Sequence, residues 1–217
     1  VEERDTMLTA IIDYDSGNLH SAEKAFQKMA AETGAGDVVV TSDADTVARA
    51  DRIVLPGDGA FPACAGALRA SGCFEAMVEA VAIKARPFLG ICVGMQLMAR
   101  MGHEYEETEG LGWIDGEVVR IAPTEPALKV PHMGWNDLVI DTPHPVLDGV
   151  GTGDHVYFVH SYHMQVADPA QLIAHVEYAG PITAIVGRDT MLGFQFHPEK
   201  SQATGLRMIA NFLGWRP

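Results

Sequence analysis

Two short stretches carry the residue types of covalent catalysis. The first is Pro87-Phe-Leu-Gly-Ile-Cys-Val-Gly-Met-Gln96, where Cys92 has Gly90 and Gly94 two residues away on either side. This spacing is that of a nucleophile elbow between a strand and a helix, with cysteine in place of serine. Such a turn is tight, so its neighbours lack side chains to let the backbone fold and a substrate approach. A helix from about Val93 would aim its first amides and its dipole at the sulfur and favour the thiolate. The second stretch is His197-Pro-Glu199. A cysteine nucleophile needs a base, and the base needs an orienting group. Pro198 stiffens the segment, so Glu199 can hold one imidazole nitrogen while the other faces Cys92. Alone, Cys92 reads equally as a buried structural thiol, and His-Pro-Glu as a surface turn. Together they supply nucleophile, base and orienter.

The other candidates carry less. Of nine histidines, no two have the i, i+4 spacing of a zinc-binding helix. His132 and His160 read as structural hydrogen-bonders in loops, and His20 and His103 as solvated. Cys64, Cys73 and Cys92 cannot all pair and match no zinc pattern, so no metal and no cofactor is expected. An odd cysteine count without an export signal suits a reducing compartment, the cytoplasm, where a reactive thiol persists. A net charge of -14 repels phosphate backbones and argues against a nucleic-acid partner. No apolar run is long enough to span a bilayer.

These residues need a frame. Leu8–Asp13, Val38–Val40, Ile53–Leu55 and Pro87–Ile91 read as short apolar strands. Between them lie a helix from Leu19 to about Ala30, a short one capped at 42–45, and one or two helices over 62–84 broken near Ser71-Gly72. The alternation predicts βαβ units and parallel strands. Sites in such sheets lie at the carboxyl ends of the strands, which puts Asp13, Pro56-Gly57 and Cys92 on one edge. The second half differs. Gly116–Ile121 and Trp135–Ile140 read as antiparallel strands, His155–Tyr162 as one strong strand, and Leu172–Tyr178, Ile182–Val186 and Met191–Phe196 as three more. A helix from Thr204 to about Leu213 closes the chain. With no linker or repeat, the 217 residues read as one α/β domain, 1–217, behind a disordered leader of about six residues.

Gly90-Ile-Cys-Val-Gly-Met-Gln96 taken with Gln195-Phe-His-Pro-Glu-Lys-Ser201 resembles the class I (triad) glutamine amidotransferases. The resemblance implies a flavodoxin-like fold: a mixed, mostly parallel sheet flanked by helices, with a smaller antiparallel sheet in the second half. Within that family, Tyr14-Asp-Ser-Gly-Asn-Leu19, Leu55-Pro-Gly-Asp-Gly-Ala-Phe61, Gly110-Leu-Gly112, Val130-Pro-His-Met-Gly-Trp-Asn136 and Tyr157-Phe-Val-His-Ser-Tyr-His163 resemble the glutaminase subunits of imidazole glycerol phosphate synthases. The likeness spans about Leu8 to Trp215. It implies hydrolysis of L-glutamine through Cys92, His197 and Glu199, and transfer of ammonia to a cyclase subunit in a heterodimer. It further implies glutamine binding at Gly59, Gln96, Glu104, Ser161 and Tyr162, and oxyanion donors from the backbone of Val93 and of Gly57 or Asp58. It places Asn18, Trp135, Tyr157 and Lys200 at the partner interface.

One position departs from the family. Asp58 stands where a valine is usual, and a carboxylate beside a forming oxyanion opposes it unless it points away. Two other readings compete: a triad glutaminase of another pathway or a γ-glutamyl peptidase, which would lack the Pro-His-Met-Gly-Trp-Asn loop, and an inert scaffold, which would carry a broken triad.

Overall fold

The computed structural model describes residues 6–16, 19–125 and 127–217. The expected leader lies almost wholly outside them.

The first half alternates as its apolar runs predict: β1 (Leu8–Ile12), α1 (Leu19–Thr33), β2 (Asp37–Thr41), α2 (Ala44–Arg49), β3 (Arg52–Leu55), α3 (Phe61–Ala70), α4 (Phe74–Val78) and β4 (Phe88–Ile91). Asp43 caps α2, its carboxylate accepting from Thr46 N at 2.9 Å. The break at Ser71-Gly72 separates α3 from α4, and α4 runs on as a π turn over Glu79–Ile83. After the elbow comes α5 (Val93–Gln96), only four residues long. The rest of the chain gives β5 (Met101–Gly102), β6 (Thr108–Glu109), β7 (Gly116–Arg120), β8 (His132–Asp137), β9 (Val139–Ile140), β10 (His155–His160), β11 (Tyr162–Val166), β12 (Leu172–Glu177), β13 (Pro181–Arg188), β14 (Met191–Phe194) and α6 (Gln202–Gly214).

The main sheet has eight strands in the order β2-β1-β3-β4-β14-β13-β12-β9. It is parallel from β2 to β14 and antiparallel beyond. Strands β3 and β4 are buried on both faces, which is why they read as unbroken apolar runs. Helix α1 lays Ala22, Phe26, Met29 and Ala30 inward at helical spacing, and Phe26 meets Phe212 of α6 edge-on at 6.4 Å. Each of these buried rings contributes about 1.5–3 kcal/mol.

The second half departs from the sequence expectation in three ways. The stretch 155–162 is two strands, not one, parting at Ser161: β10 pairs with β8 in a two-stranded ribbon, and β11 joins β7. The stretch 116–121 does not pair with 135–140. Strand β7 lies in a separate four-stranded sheet, β11-β7-β5-β6. Finally, 135–140 splits at Leu138, which is fully buried, and β9 joins the edge of the main sheet. So the expected small antiparallel sheet is present as the β8–β10 ribbon, and beside it lies a four-stranded sheet that is mixed, since β5 and β7 run parallel. His132 and His160 lie on strands β8 and β10, directly opposite each other, rather than in loops. Among the described residues no helix is long and apolar enough to cross a membrane.

Candidate active site

Cys92 sits at the end of β4 with φ 53° and ψ -113°, a left-handed conformation unusual for a residue with a side chain. Two glycines of the site permit close approach. A Cβ on Gly94 would strike the carbonyl oxygen of Leu55, and one on Gly57 would lie 2.7 Å from Gly94 N. The elbow therefore nests against the strand end at Pro56-Gly57. Because α5 is so short, its field at the sulfur is that of a few local amides rather than of a long helix.

Strands β4 and β14 run parallel with Ile91 opposite Phe194, and Cys92 N donates to Phe194 O at 2.8 Å. That pairing carries the residues after β14 to the nucleophile. His197 Nδ1 lies 2.8 Å from Glu199 Oε1, and the ring is coupled electrostatically to the Cys92 side chain. Burial is the largest influence on the ring and opposes its charge. Its interactions with Cys92 and Glu199 together outweigh burial, and the imidazole is raised to about 10. It can therefore take a proton from the sulfur and keep it. Ser201 Oγ closes the turn by donating to His197 O at 2.6 Å.

In front of the sulfur is a cleft of about 260 Å³. Eight of the expected site residues line it, Asp58, Gly59, Cys92, Val93, Gln96, Glu104, Ser161 and Tyr162, whereas Gly57, His197 and Glu199 line a separate small cavity beside it. Gln96 Nε2 donates to Tyr162 O at 3.0 Å and to Gln195 Oε1 at 3.1 Å, which leaves its own carbonyl oxygen for a ligand. Glu104 is no mere part of a solvated acidic run. Its Oε2 accepts from Phe61 N at 2.7 Å, so it caps α3 and presents a carboxylate edge to the cleft. Pro131, Val159 and His160 also line the cleft, and sequence reading did not place them there. Among the described residues, no group of three or more His, Cys, Asp and Glu is arranged to hold a metal ion.

The strand end Pro56–Gly59 is held from the loop after β1. Tyr14 Oη donates to Pro56 O at 2.8 Å. Ser16 Oγ accepts from Asp58 N at 3.2 Å and donates to Asp58 O at 3.0 Å. The Asp58 amide is thus turned to Ser16 and not to the sulfur. Val93, as the first residue of α5, has an amide without an intrahelical partner. The Asp58 residue is exposed. No sequence signal marks Ser16 as its partner, since 42 residues separate them.

A family model described as Glutamine amidotransferase class-I matches residues 10–214. The chain belongs to this family. Over 212 residues this amidotransferase is 75% identical to the imidazole glycerol phosphate synthase subunit HisH of Ruegeria pomeroyi, covering 97% of this chain and 100% of the relative. The HisH subunit of Cereibacter sphaeroides is 71% identical over the same length, with the same coverage. A crystal structure of a glutamine amidotransferase superposes with a TM-score of 0.70 at 18% identity, covering 95% of this chain and 99% of that one. The glutaminase domain of a Trypanosoma brucei CTPS with bound acivicin gives 0.67 at 15%, covering 98% and 96%. At that identity the two structures speak for the fold alone.

In this amidotransferase Trp135 and Tyr157 pair edge to face on the β8–β10 ribbon, ring centres 5.8 Å apart. Trp135 is 45% exposed, as is Met133 at 61% on the same face. The ribbon is tied to the turn that carries the triad: His197 N donates to Tyr157 O at 3.1 Å and Tyr157 N to Ser201 Oγ at 3.0 Å. Lys200 is exposed on that turn. Asn18 lies outside the described residues.

Proposed function

We propose that this amidotransferase is the glutaminase subunit of an imidazole glycerol phosphate synthase, acting as a single domain in a heterodimer with a cyclase subunit in the cytoplasm. The observation that carries the reading is the hydrogen-bonded pair His197 and Glu199 coupled to Cys92, which itself lines an amino-acid-sized cleft. The likeness to imidazole glycerol phosphate synthase subunits at 75% and 71% identity supports the pathway, L-histidine biosynthesis.

Cys92 passes its proton to His197 and its sulfur attacks the side-chain carbonyl carbon of L-glutamine. The tetrahedral oxyanion collapses to a γ-glutamyl thioester, and His197 returns the proton to the departing ammonia. His197 then takes a proton from water, whose oxygen attacks the thioester, releasing glutamate and restoring the thiol. Glu199 holds the ring through its Nδ1. Gln96, Glu104, Ser161 and Tyr162, with the Gly59 backbone, give the head group its polar partners. The Val93 amide is one oxyanion donor. Ammonia goes on to the cyclase subunit, which uses it to make imidazole glycerol phosphate and AICAR from PRFAR.

The second donor is the regulated part. With Asp58 N held by Ser16, a donor from Pro56–Gly59 requires that peptide to turn, and partner binding over Trp135, Tyr157, Lys200 and Asn18 shifts that equilibrium. The test is a glutaminase assay of the chain alone, with a cognate cyclase subunit, and with both the subunit and its nucleotide ligand. Activity is expected only weakly in the first and strongly in the last. No hydrolysis in any arm removes the enzyme reading, and equal rates in all arms remove the activation step.

A further inference from the structure

Behind the nucleophile runs a chain of hydrogen bonds of which the reaction above uses only Gln96 and Tyr162. It begins at Asn136 on β8, whose Nδ2 donates to Glu177 O at 3.1 Å and lies 3.3 Å from His132 Nε2. His132 Nδ1 lies 3.0 Å from His160 Nε2, and His160 Nδ1 lies 2.8 Å from Tyr162 O. The same carbonyl accepts from Gln96 Nε2, which also donates to Gln195 Oε1. Gln195 Nε2 then faces Cys92 Sγ at 3.9 Å.

One atom sets the direction of every bond. A carbonyl oxygen only accepts, so Tyr162 O obliges His160 Nδ1 to carry its hydrogen and Gln96 to present its NH₂ group. Burial holds both histidines neutral, lowering His132 to about 4 and His160 to about 3. His160 Nε2 is therefore an acceptor, His132 Nδ1 carries a hydrogen, and His132 Nε2 accepts from Asn136. On the other branch, the second N–H of Gln96 needs an acceptor, which draws in the oxygen of Gln195 and leaves its NH₂ on the sulfur. A flipped Gln195 would set two donors against each other and a carbonyl oxygen against the thiol. The strand register explains the contact. Phe194 stands opposite Ile91 in the parallel pair, so the next residues, Gln195 and Cys92, are side by side. Gln195 is wholly buried and does not line the cleft.

We infer that Gln195 is a further catalytic residue, whose side-chain NH₂ stabilises the Cys92 sulfur while it is anionic, and that Gln96, His160 and His132 are the positioning residues that keep this NH₂ on the sulfur. This rests on the reading of Cys92 as the glutaminase nucleophile. Hydrogen bonds to an ionised acceptor are shorter and about twice as strong as neutral ones. The donor therefore acts when the thiol has given its proton to His197 and again when the sulfur leaves the thioester. Gln195 itself exchanges no proton.

The test is alkylation of the full chain by iodoacetamide across a pH series, with Cys92, Cys64 and Cys73 scored separately by peptide mass spectrometry. Gln195→Met fills the space without a donor. Gln195→Glu keeps an oxygen for Gln96 and puts a second one on the sulfur. Both are expected to slow Cys92 alkylation at neutral pH about tenfold or more and to move its pH profile to the alkaline side. His160→Phe leaves the residues around the sulfur in place but releases their orientation, and should move the profile the same way by a smaller amount. Rates and profiles within twofold of wild type, in variants with native circular dichroism, would reduce Gln195 to packing. If wild-type Cys92 reacts no faster than Cys64 and Cys73, the nucleophile reading itself falls and takes this one with it.

Discussion

Glu199→Gln isolates the charge of the triad from its shape. The amide keeps an oxygen that can accept from His197 Nδ1, as Glu199 Oε1 does at 2.8 Å. What disappears is the anion, whose other oxygen, Oε2, is buried without a hydrogen-bond partner. Burial works against the imidazolium, yet Cys92 and Glu199 raise the ring from 6.5 to about 10. At ~1.4 kcal/mol per unit, that is a net preference of roughly 5 kcal/mol for the charged ring, shared between the two partners. Two unit charges ~4 Å apart at an effective dielectric of ~20 interact by about 4 kcal/mol. Losing one of them should raise the barrier by about 3 kcal/mol, or roughly 100-fold in rate. In steady-state assays of the complex, kcat should fall by that factor with KM nearly unchanged. The alkaline limb of the pH–rate profile should also move down from near 10, because the imidazolium must survive to protonate ammonia. Stability follows the same sign. A raised folded value means that the imidazolium contribution is complete below pH 6.5 and is lost as pH rises through about 10. In the variant that loss should come at lower pH. A rate within threefold of wild type and an unmoved alkaline limb would refute the Glu199 charge as the support of the imidazolium.

Three further outcomes are expected. Gly94→Ala drives a Cβ into the Leu55 carbonyl, so the elbow must shift, with about 1–3 kcal/mol of stability lost in thermal melts and glutaminase activity lost with it. Asp58 lines the cleft but is exposed, so water screens its charge and Asp58→Val should leave the glutaminase rate of the complex within about twofold. A large gain would mean that the carboxylate faces the oxyanion. Burial lowers His132 to about 4 and His160 to about 3, so the unfolded chain binds the extra protons below pH 6.5. Urea unfolding should therefore show stability falling with pH below that point, by up to about 1.4 kcal/mol per pH unit for each ring, and a flat profile would count against buried neutral rings.

The candidate catalytic residues of this protein stand out in its sequence because the constraints on them are local. An elbow needs Gly90 and Gly94 within two residues of Cys92, and an orienter on a stiff turn needs Glu199 within two of His197. Both constraints act over a few bonds, so they leave a mark in the residue order. The first-half strands were legible for a similar reason: parallel strands covered on both faces are unbroken apolar runs between helices. Tertiary structure alone decided the rest. Strands β10 and β11 look like one strand until Ser161 parts them into different sheets, since alternation marks a strand but not its partner. Gln195 meets Cys92 across 103 residues because β14 inserts beside β4, and Ser16 meets Asp58 across 42 because β1 and β3 are neighbours. The elbow could be read from ten residues. What surrounds its sulfur and its oxyanion strand depends on strand order, which is a property of the whole chain.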